Sequence, residues 1–229
     1  MADKRPSSEE ENGPFVAGGT VLRRAANEGT IIMSASGFPA VPIENSAVRL
    51  EPLAEAHREA LAAAAGAAEI WRYMPYDGAG DGFHRWFDWS LSLNEQQSET
   101  IWAVRNLADG AIVGSTRYLN IAAKDLRAEI GGTWYAPAVW GGRVNPACKL
   151  MLLGHGFEEL GLNRIEFKTD ARNLRSQAAI AKLGALREGI FRRHMVLPDG
   201  HIRDSVYFSI IREEWPGVKA RLEERLASA

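Results

Sequence analysis

The chain has 229 residues, 46% hydrophobic and 24% charged, proportions that exclude collagen-like, low-complexity and wholly disordered proteins. Its 27 basic and 29 acidic side chains leave a net charge of −2, so no global field draws in nucleic acid or an anionic membrane, and neither is expected as a partner. The length sets one large domain or two small ones, and the single cysteine, Cys148, forms no internal disulfide and fits a reducing cytoplasm.

No apolar run approaches the ~18 residues of a membrane helix. The opening Asp3-Lys4-Arg5, followed by Glu9-Glu10-Glu11, lacks the basic-then-apolar order of a signal peptide, and a cytoplasmic location is expected. Residues 1–44 combine Gly13, Gly18, Gly19, Gly29 and Gly37 with prolines and the acidic run. Without periodicity they read as a flexible N-terminal extension. Met33 is an alternative start, on which reading residues 1–32 are not part of the protein. Residues 45–229 read as one folded domain.

Within that domain, 47–53 reads as a strand and 55–68 as an alanine-rich helix. Residues 82–93 read as a second helix, with Phe83, Trp86, Phe87 and Leu91 near helical spacing. Strands follow at 100–107 and 111–121, joined at the hairpin signal Asp109-Gly110, and at 126–135. After a loop over 136–145 a helix runs to Leu160. A strand covers 163–170, and a helix covers 173–183 until Gly184 stops it. Residues 191–197 and 201–211 form a hairpin about Pro198-Asp199-Gly200, and a charged helix follows Trp215-Pro216. Antiparallel runs followed by one strand–helix–strand crossover predict a mixed sheet with helices on its faces, α/β or α+β, in a single domain.

The most informative segment is Trp140-Gly141-Gly142-Arg143-Val144-Asn145-Pro146, which joins a strand to a helix. Asn145 is a favoured N-cap and Pro146 a favoured first helical residue. Gly141 and Gly142 tolerate positive φ and put no side chain between backbone and ligand. A helix N-terminus carries unpaired N–H groups and about half a unit of positive charge, which together hold an anion. Arg143 adds a forked cation. The turn fits neither a Walker A loop nor the Rossmann fingerprint, and taken alone it reads as a glycine loop ending in a cap. A second segment, Asp170-Ala171-Arg172-Asn173-Leu174-Arg175-Ser176-Gln177, stands at the next strand-to-helix edge. Asn173 can cap that helix, with Ser176 in its first turn. Consecutive parallel strands put their C-terminal ends side by side, where α/β sheets take ligands.

Together with Glu129-Ile130-Gly131-Gly132-Thr133-Trp134-Tyr135 and Lys182-Leu183-Gly184-Ala185, these segments resemble the GNAT superfamily of acyl-CoA N-acyltransferases. Within it they resemble the RimJ/RimL group, which acetylates N-terminal amines of ribosomal proteins. The resemblance covers residues 47–212. It implies a GNAT-like domain with a central, mostly antiparallel sheet, one parallel strand pair splayed to hold CoA, and helices on both faces. It implies acetyl-CoA as co-substrate and a primary amine as acceptor, on a protein N-terminus or a small molecule. By this resemblance the turn Gly141, Gly142, Arg143, Val144 and Asn145 wraps the CoA pyrophosphate, and Asn173 hydrogen-bonds the pantetheine arm. The strand backbone through Ile130, Thr133 and Trp134 pairs with the pantetheine amides. Glu129 matches the carboxylate proposed as general base, and Ser176 the serine proposed to protonate the departing thiolate. One position departs from the family: the third residue of the turn, usually glycine or alanine, is Arg143. Either its side chain points outward or onto a phosphate, or CoA binding is impaired. Ala147 also stands where related sequences often carry glutamate.

Amide formation from a thioester needs a neutral amine, a polarised carbonyl and a leaving thiolate. At pH 7 the neutral form costs about 1.4 kcal/mol for an α-amine and above ~4 kcal/mol for lysine, which modestly favours an α-amine. Backbone donors over 131–134 would stabilise the oxyanion, and direct attack leaves Cys148 a buried core residue. His57, His84, His155, His194 and His201 lack zinc-ligand spacing, so no metal is expected. Trp71, Tyr76, His84 and Trp86 are expected to wall the acceptor site. Between Leu162 and Arg212 ten Lys and Arg face five Asp and Glu, either a solvated sheet edge or a positive approach to the CoA 3′-phosphate. Two competing readings remain: a non-catalytic acyl-CoA-binding or regulatory module, motivated by Arg143 and the extension, and a phosphate-binding protein unrelated to CoA. The chain fits a monomer or a homodimer.

Overall fold

The computed structural model describes residues 19–21, 32–34 and 38–228. The first two segments are β1 (Gly19–Val21) and β2 (Ile32–Ser34), which pair antiparallel. The flexible extension expected over 1–44 therefore falls mostly outside the described residues. Where that stretch is described at its end, it belongs to the domain. β3 (Ile43–Glu44) is the first strand of the main sheet, and Phe38 is buried in the core.

The main sheet has eight strands in the order β3-β4-β5-β6-β7-β8-β10-β9. The others are β4 (Val48–Pro52), β5 (Thr100–Asn106), β6 (Ile112–Ala122), β7 (Arg127–Tyr135), β8 (Arg164–Asp170), β9 (Leu186–Val196) and β10 (Ile202–Ile211). Every neighbouring pair is antiparallel except β7 and β8. The mostly antiparallel sheet with one parallel pair is thus the architecture that the sequence pattern and the resemblance imply.

Helices cover both faces because β5 buries both of its sides. Its Ile101 and Ala103 join Leu61 of α1 (Arg58–Ala64) and Phe83, Trp86 and Phe87 of α2 (Gly82–Glu95) in one apolar cluster. Trp102 and Val104, which point the other way, join the buried residues of α3 (Val144–Gly154) and α5 (Trp215–Ala227) in a second. In α2 the residues Phe83, Trp86 and Phe87 recur at the spacing of one helical face, and that face is the buried one. The expected helix over 55–68 is shorter than its alanine content suggests. Three-residue 3-10 turns flank α1 at Glu55–His57 and Ala68–Ile70, and Gly66, between α1 and the second of these, weakens any continuous helix. At its other end α3 widens into a π-turn over His155–Glu159, where the Tyr118 hydroxyl donates to the Leu152 carbonyl.

The feature that shapes the site is the short life of the parallel pair. β7 and β8 register at Arg127↔Arg164, Ala128↔Ile165 and Glu129↔Glu166, then separate. Each arm is retained by its outer neighbour. β7 continues along β6 to Gly114↔Tyr135, and β8 continues along β10 to Asp170↔Ser205. The parting coincides with a bulge. Between Arg117↔Gly131 and Ser115↔Trp134, one β6 residue faces two on β7, which bends and twists the bulged strand. Gly132 sits in this bulge at φ +54°, and a Cβ there would stand 2.7 Å from Arg117 Nε. Only glycine meets both conditions without strain. α4 (Leu174–Ala181) follows the free end of β8.

Phe38 tests where the domain begins. It is 1% exposed, its ring meets Tyr118 edge-on at 6.0 Å, and its carbonyl accepts from Thr100 Oγ1 at 2.7 Å. Phe38→Ala is expected to cost about 3–5 kcal/mol of unfolding free energy, read from urea denaturation. A chain begun at residue 45 should lose at least as much.

Candidate active site

A cavity of about 650 Å³ lies in the gap between the parted strands. One side of its wall comes from the CoA-binding segments that the resemblance implies. Gly141, Asn145, Asn173 and Ser176 border it, with residues 130–135 of β7 and 167–169 of β8. The other side comes from Tyr73, Met74, Tyr76, Trp89, Arg117, Met195 and Arg203.

The glycine turn differs in detail from the expected one. α3 begins at Val144 with Arg143 in the cap position, so Asn145 is not the N-cap and Pro146 is not the first helical residue. The helix starts two residues sooner because Pro146 is tolerated throughout the first turn, where backbone N–H groups have no helical partner. Asn145 consequently lies in that first turn and borders the cavity. Gly141 takes φ +76°. Gly142 and Val144 do not border the cavity, and Val144 is buried in the α3 core. Arg143 points outward: its Nη2 donates to the Leu226 carbonyl in α5 at 3.1 Å. The departure from the family turn therefore leaves the turn itself clear. Beside the turn the cavity is bordered instead by Arg175, whose guanidinium lies 3.8 Å from the centre of the Trp140 ring.

Asn173 caps α4 as its sequence suggests. Its Oδ1 accepts from the Ser176 backbone N–H at 3.0 Å, and its amide N–H₂ has no partner among the described residues. The Ser176 hydroxyl likewise has no partner among the described residues and borders the cavity.

Glu129 occupies the last paired position before the strands separate, and is 2% exposed. It is no solvated strand residue. Its Oε2 accepts from Asn120 Nδ2 at 2.8 Å and lies 3.2 Å from Lys168 Nζ. Its Oε1 has no hydrogen bond among the described residues, and glycine at 131 is what leaves it room: a Cβ there would fall 2.9 Å from Oε1 and 2.7 Å from Leu119. Asn120 reaches Glu129 from a left-handed backbone, φ +50°, a conformation that asparagine tolerates better than most residues. One carboxylate oxygen is thus tied down and the other is free.

Behind β7, Lys149 of α3 donates to Thr133 Oγ1 at 2.9 Å, and Thr133 shares a 2.8 Å hydrogen bond with Thr116. No carboxylate among the described residues pairs with Lys149, and burial lowers its pKa to about 8. Burial also pushes the Cys148 thiol up to about 11, far from the thiolate a nucleophile needs.

Of the four aromatic and histidine residues expected at the acceptor site, only Tyr76 borders the cavity. Trp71 and Trp86 are buried one layer behind it, with ring centres 5.3 and 5.4 Å from Trp134. The Trp71 indole donates to the Ala65 carbonyl. His84 is exposed, because it follows Phe83 on α2 and the helical period turns it away from the buried face. Sequence reasoning missed Arg117, Lys168 and Arg203. Arg117 is 1% exposed, paired with Glu99 at 2.7 Å and Ser90 at 3.0 Å, and surrounded by Tyr76, Trp86 and Trp89. A lone basic residue inside an apolar strand was the available signal for Arg117; Lys168 and Arg203 had none.

Lys149 gives the site a pH signature. Its folded pKa near 8 lies below the ordinary 10.5, so between these values the unfolded chain binds more protons than the folded one. Stability should climb as pH rises through that window, by about 3 kcal/mol from this group. Below pH 8 the full cost of the buried cation remains. Lys149→Met should raise stability at pH 7 and flatten the climb, as measured by urea denaturation at pH 7, 9 and 10.5.

The chain matches the acetyltransferase (GNAT) domain family over residues 47–186. It is 35% identical over 114 residues to YdaF of Bacillus subtilis (strain 168), provisionally named a ribosomal N-acetyltransferase. That match covers 49% of this chain and spans 61% of YdaF. Among solved structures, a protein of T. thermophilus described provisionally as an acetyltransferase superposes with TM-score 0.74 at 37% identity, over 83% of this chain and 98% of that one. RimJ of Mycobacterium smegmatis, in complex with CoA-disulfide, shares the fold with TM-score 0.66 at 24% identity, over 78% of this chain and 88% of its own. No helix among the described residues is long and apolar enough to cross a membrane.

Proposed function

The chain belongs to the GNAT acetyltransferase family, whose members are acyl-CoA-dependent N-acetyltransferases, and we propose that it transfers the acetyl group of acetyl-CoA to a primary amine within the cavity between β7 and β8. The observation that carries this reading is Glu129. It is a buried carboxylate that borders the cavity at the point where the strands part, with one oxygen held by Asn120 and Lys168 and the other without a hydrogen bond among the described residues.

The remaining residues divide the work. The backbone of 141–145 at the start of α3 binds the diphosphate of CoA through N–H groups and the helix dipole, with Arg175 supplying formal charge at the cavity wall. The Asn173 amide donates to the pantetheine arm. The backbone of 130–134, which has no partner strand on that side, pairs with the pantetheine amides like an added strand. The amine enters from the side of Tyr73 and Tyr76. Glu129 Oε1 takes its proton, directly or through one water. Nitrogen attacks the thioester carbonyl, and backbone N–H groups around the Gly132 bulge receive the oxyanion. As the tetrahedral intermediate collapses the carbon–sulfur bond breaks, and the Ser176 hydroxyl returns a proton to sulfur. The outward course of Arg143 supports an intact CoA site and weighs against a module that has lost catalysis. A protein N-terminal α-amine fits the lower cost of its neutral form and the name given to YdaF; a small-molecule amine is the second reading. The lone, buried Cys148 agrees with action in the cytoplasm.

Calorimetric titration with acetyl-CoA tests the first half of this reading. Wild type and Arg143→Ala should both bind in the micromolar range, and Arg175→Ala about tenfold more weakly. Absence of binding by the wild type removes the reading. For the second half, Glu129→Gln should keep its acetyl-CoA affinity while kcat/KM falls by about 10² to 10⁴ on a panel of free peptides and small amines. Full activity in a Glu129→Gln, Ser176→Ala double variant would unseat both residues.

A further inference from the structure

Arg203 is a buried cation that the reaction just described does not use. It lies on β10 two residues before Ser205, the partner of the last residue of β8, and so stands beyond the end of β8 at the open end of the gap. It is 4% exposed and borders the cavity. Its Nε is buried without a hydrogen-bond partner, and its side chain has one hydrogen bond among the described residues, a long one of 3.5 Å from Nη1 to the Tyr73 carbonyl.

The nearby carboxylates are already committed. Asp170 is held by Arg172, through Oδ2 at 2.8 Å from Nη2 and through Oδ1 at 2.8 Å from the backbone N–H. Glu129 is held by Lys168 and Asn120. Two negative charges therefore face three positive ones, and the excess sits on Arg203. A buried guanidinium left unpaired is costly. It stays charged in proteins and presents a planar fork that matches a carboxylate.

We propose that Arg203 binds a carboxylate carried by the acceptor close to its amine, so that the amine meets Glu129 while the carboxylate meets Arg203. This rests on the reading that the amine is acetylated beside Glu129. The carboxylate comes from one of two sources: the α-carboxylate of a free amino acid, or an acidic side chain within the first two residues of a peptide. A polycationic amine would instead meet Arg203 and Lys168 with like charge.

The test compares wild type, Arg203→Met and Arg203→Lys on matched pairs of amines: L-phenylalanine against phenethylamine for the first source, and peptide amides beginning Ser-Asp against Ser-Asn for the second. In one of the two pairs the wild type should favour the carboxylate-bearing member by at least about thirtyfold in kcat/KM. Arg203→Met should bring that ratio near one through KM, and Arg203→Lys should restore part of it, with acetyl-CoA affinity unchanged in both variants. Because Arg203→Met removes an unpaired buried charge, its melting temperature should equal or exceed that of wild type, whereas a merely structural role would lower it. Equal use of both members in both pairs by the wild type, or an undiminished ratio in Arg203→Met, overturns the proposal. If no amine is acetylated, calorimetry of the CoA-saturated protein with the same four compounds decides. Carboxylate-selective binding lost in Arg203→Met upholds the assignment while the transfer reading fails, and absence of selective binding overturns the assignment.

Discussion

β7 and β8 hold each other for three residue pairs and then part, each carried away by the neighbour on its outer side. Backbone amides and carbonyls in a sheet interior are costly to leave unpaired, so a gap of this kind persists only where something else takes up the bonds. On the function proposed above, an extended pantetheine chain is that partner. The same parting sets the positions of the chemistry. Glu129 is buried because it lies on the last paired rung, yet it borders the cavity because the next rung is missing. The α3 and α4 N-termini stand near each other because both follow strands that end at this opening. The glycine turn, the Asn173 cap and the Glu129 carboxylate thus follow from one choice of register.

Charge inside this domain is concentrated at the walls of the gap. Glu129, Lys149, Arg117 and Arg203 are all nearly inaccessible, and each is satisfied to a different degree. Arg117 has a carboxylate and a hydroxyl, Glu129 an amide and an ammonium, Lys149 a single hydroxyl, and Arg203 one long contact with a carbonyl. Burying ions is expensive unless their partners are complete. The least complete of them, Lys149 and Arg203, border the cavity, where a ligand of suitable charge would complete them.

Much of the fold was legible in the residues. β5, α2 and the hairpin after β9 were written in local periodicity and turn chemistry, and those signals do not depend on the rest of the molecule. Register was not: no spacing in residues 126–135 or 163–170 says that pairing stops after Glu129. The gap entered the reading only through the family resemblance, as did the roles of Glu129 and Ser176. The aromatic wall was misjudged for a related reason. Helical spacing reveals that Trp86 shares a face with Phe83, but not whether that face looks into a cavity or into core. The cap of α3 was misplaced because Asn145 and Pro146 are acceptable anywhere in a first turn. Lys168 and Arg203 had no local mark, since a charged residue in a strand looks solvated until the strands beside it are in place.

The Gly132 bulge also changes the count of β7. Before it, even-numbered residues face α3 and α5: Ala128 and Ile130 belong to that cluster, while Glu129 looks the other way. After it the parity reverses, with Tyr135 in the α3 cluster and Trp134 in the α1 and α2 cluster. One strand can therefore present a carboxylate and, five residues on, an indole to the same side, which strict alternation forbids. A single deletion between Gly131 and Trp134 would erase the bulge and leave Trp134 on its present side, whereas flattening the bulge at unchanged length would act as a frameshift of faces and turn Trp134 into the opposite core.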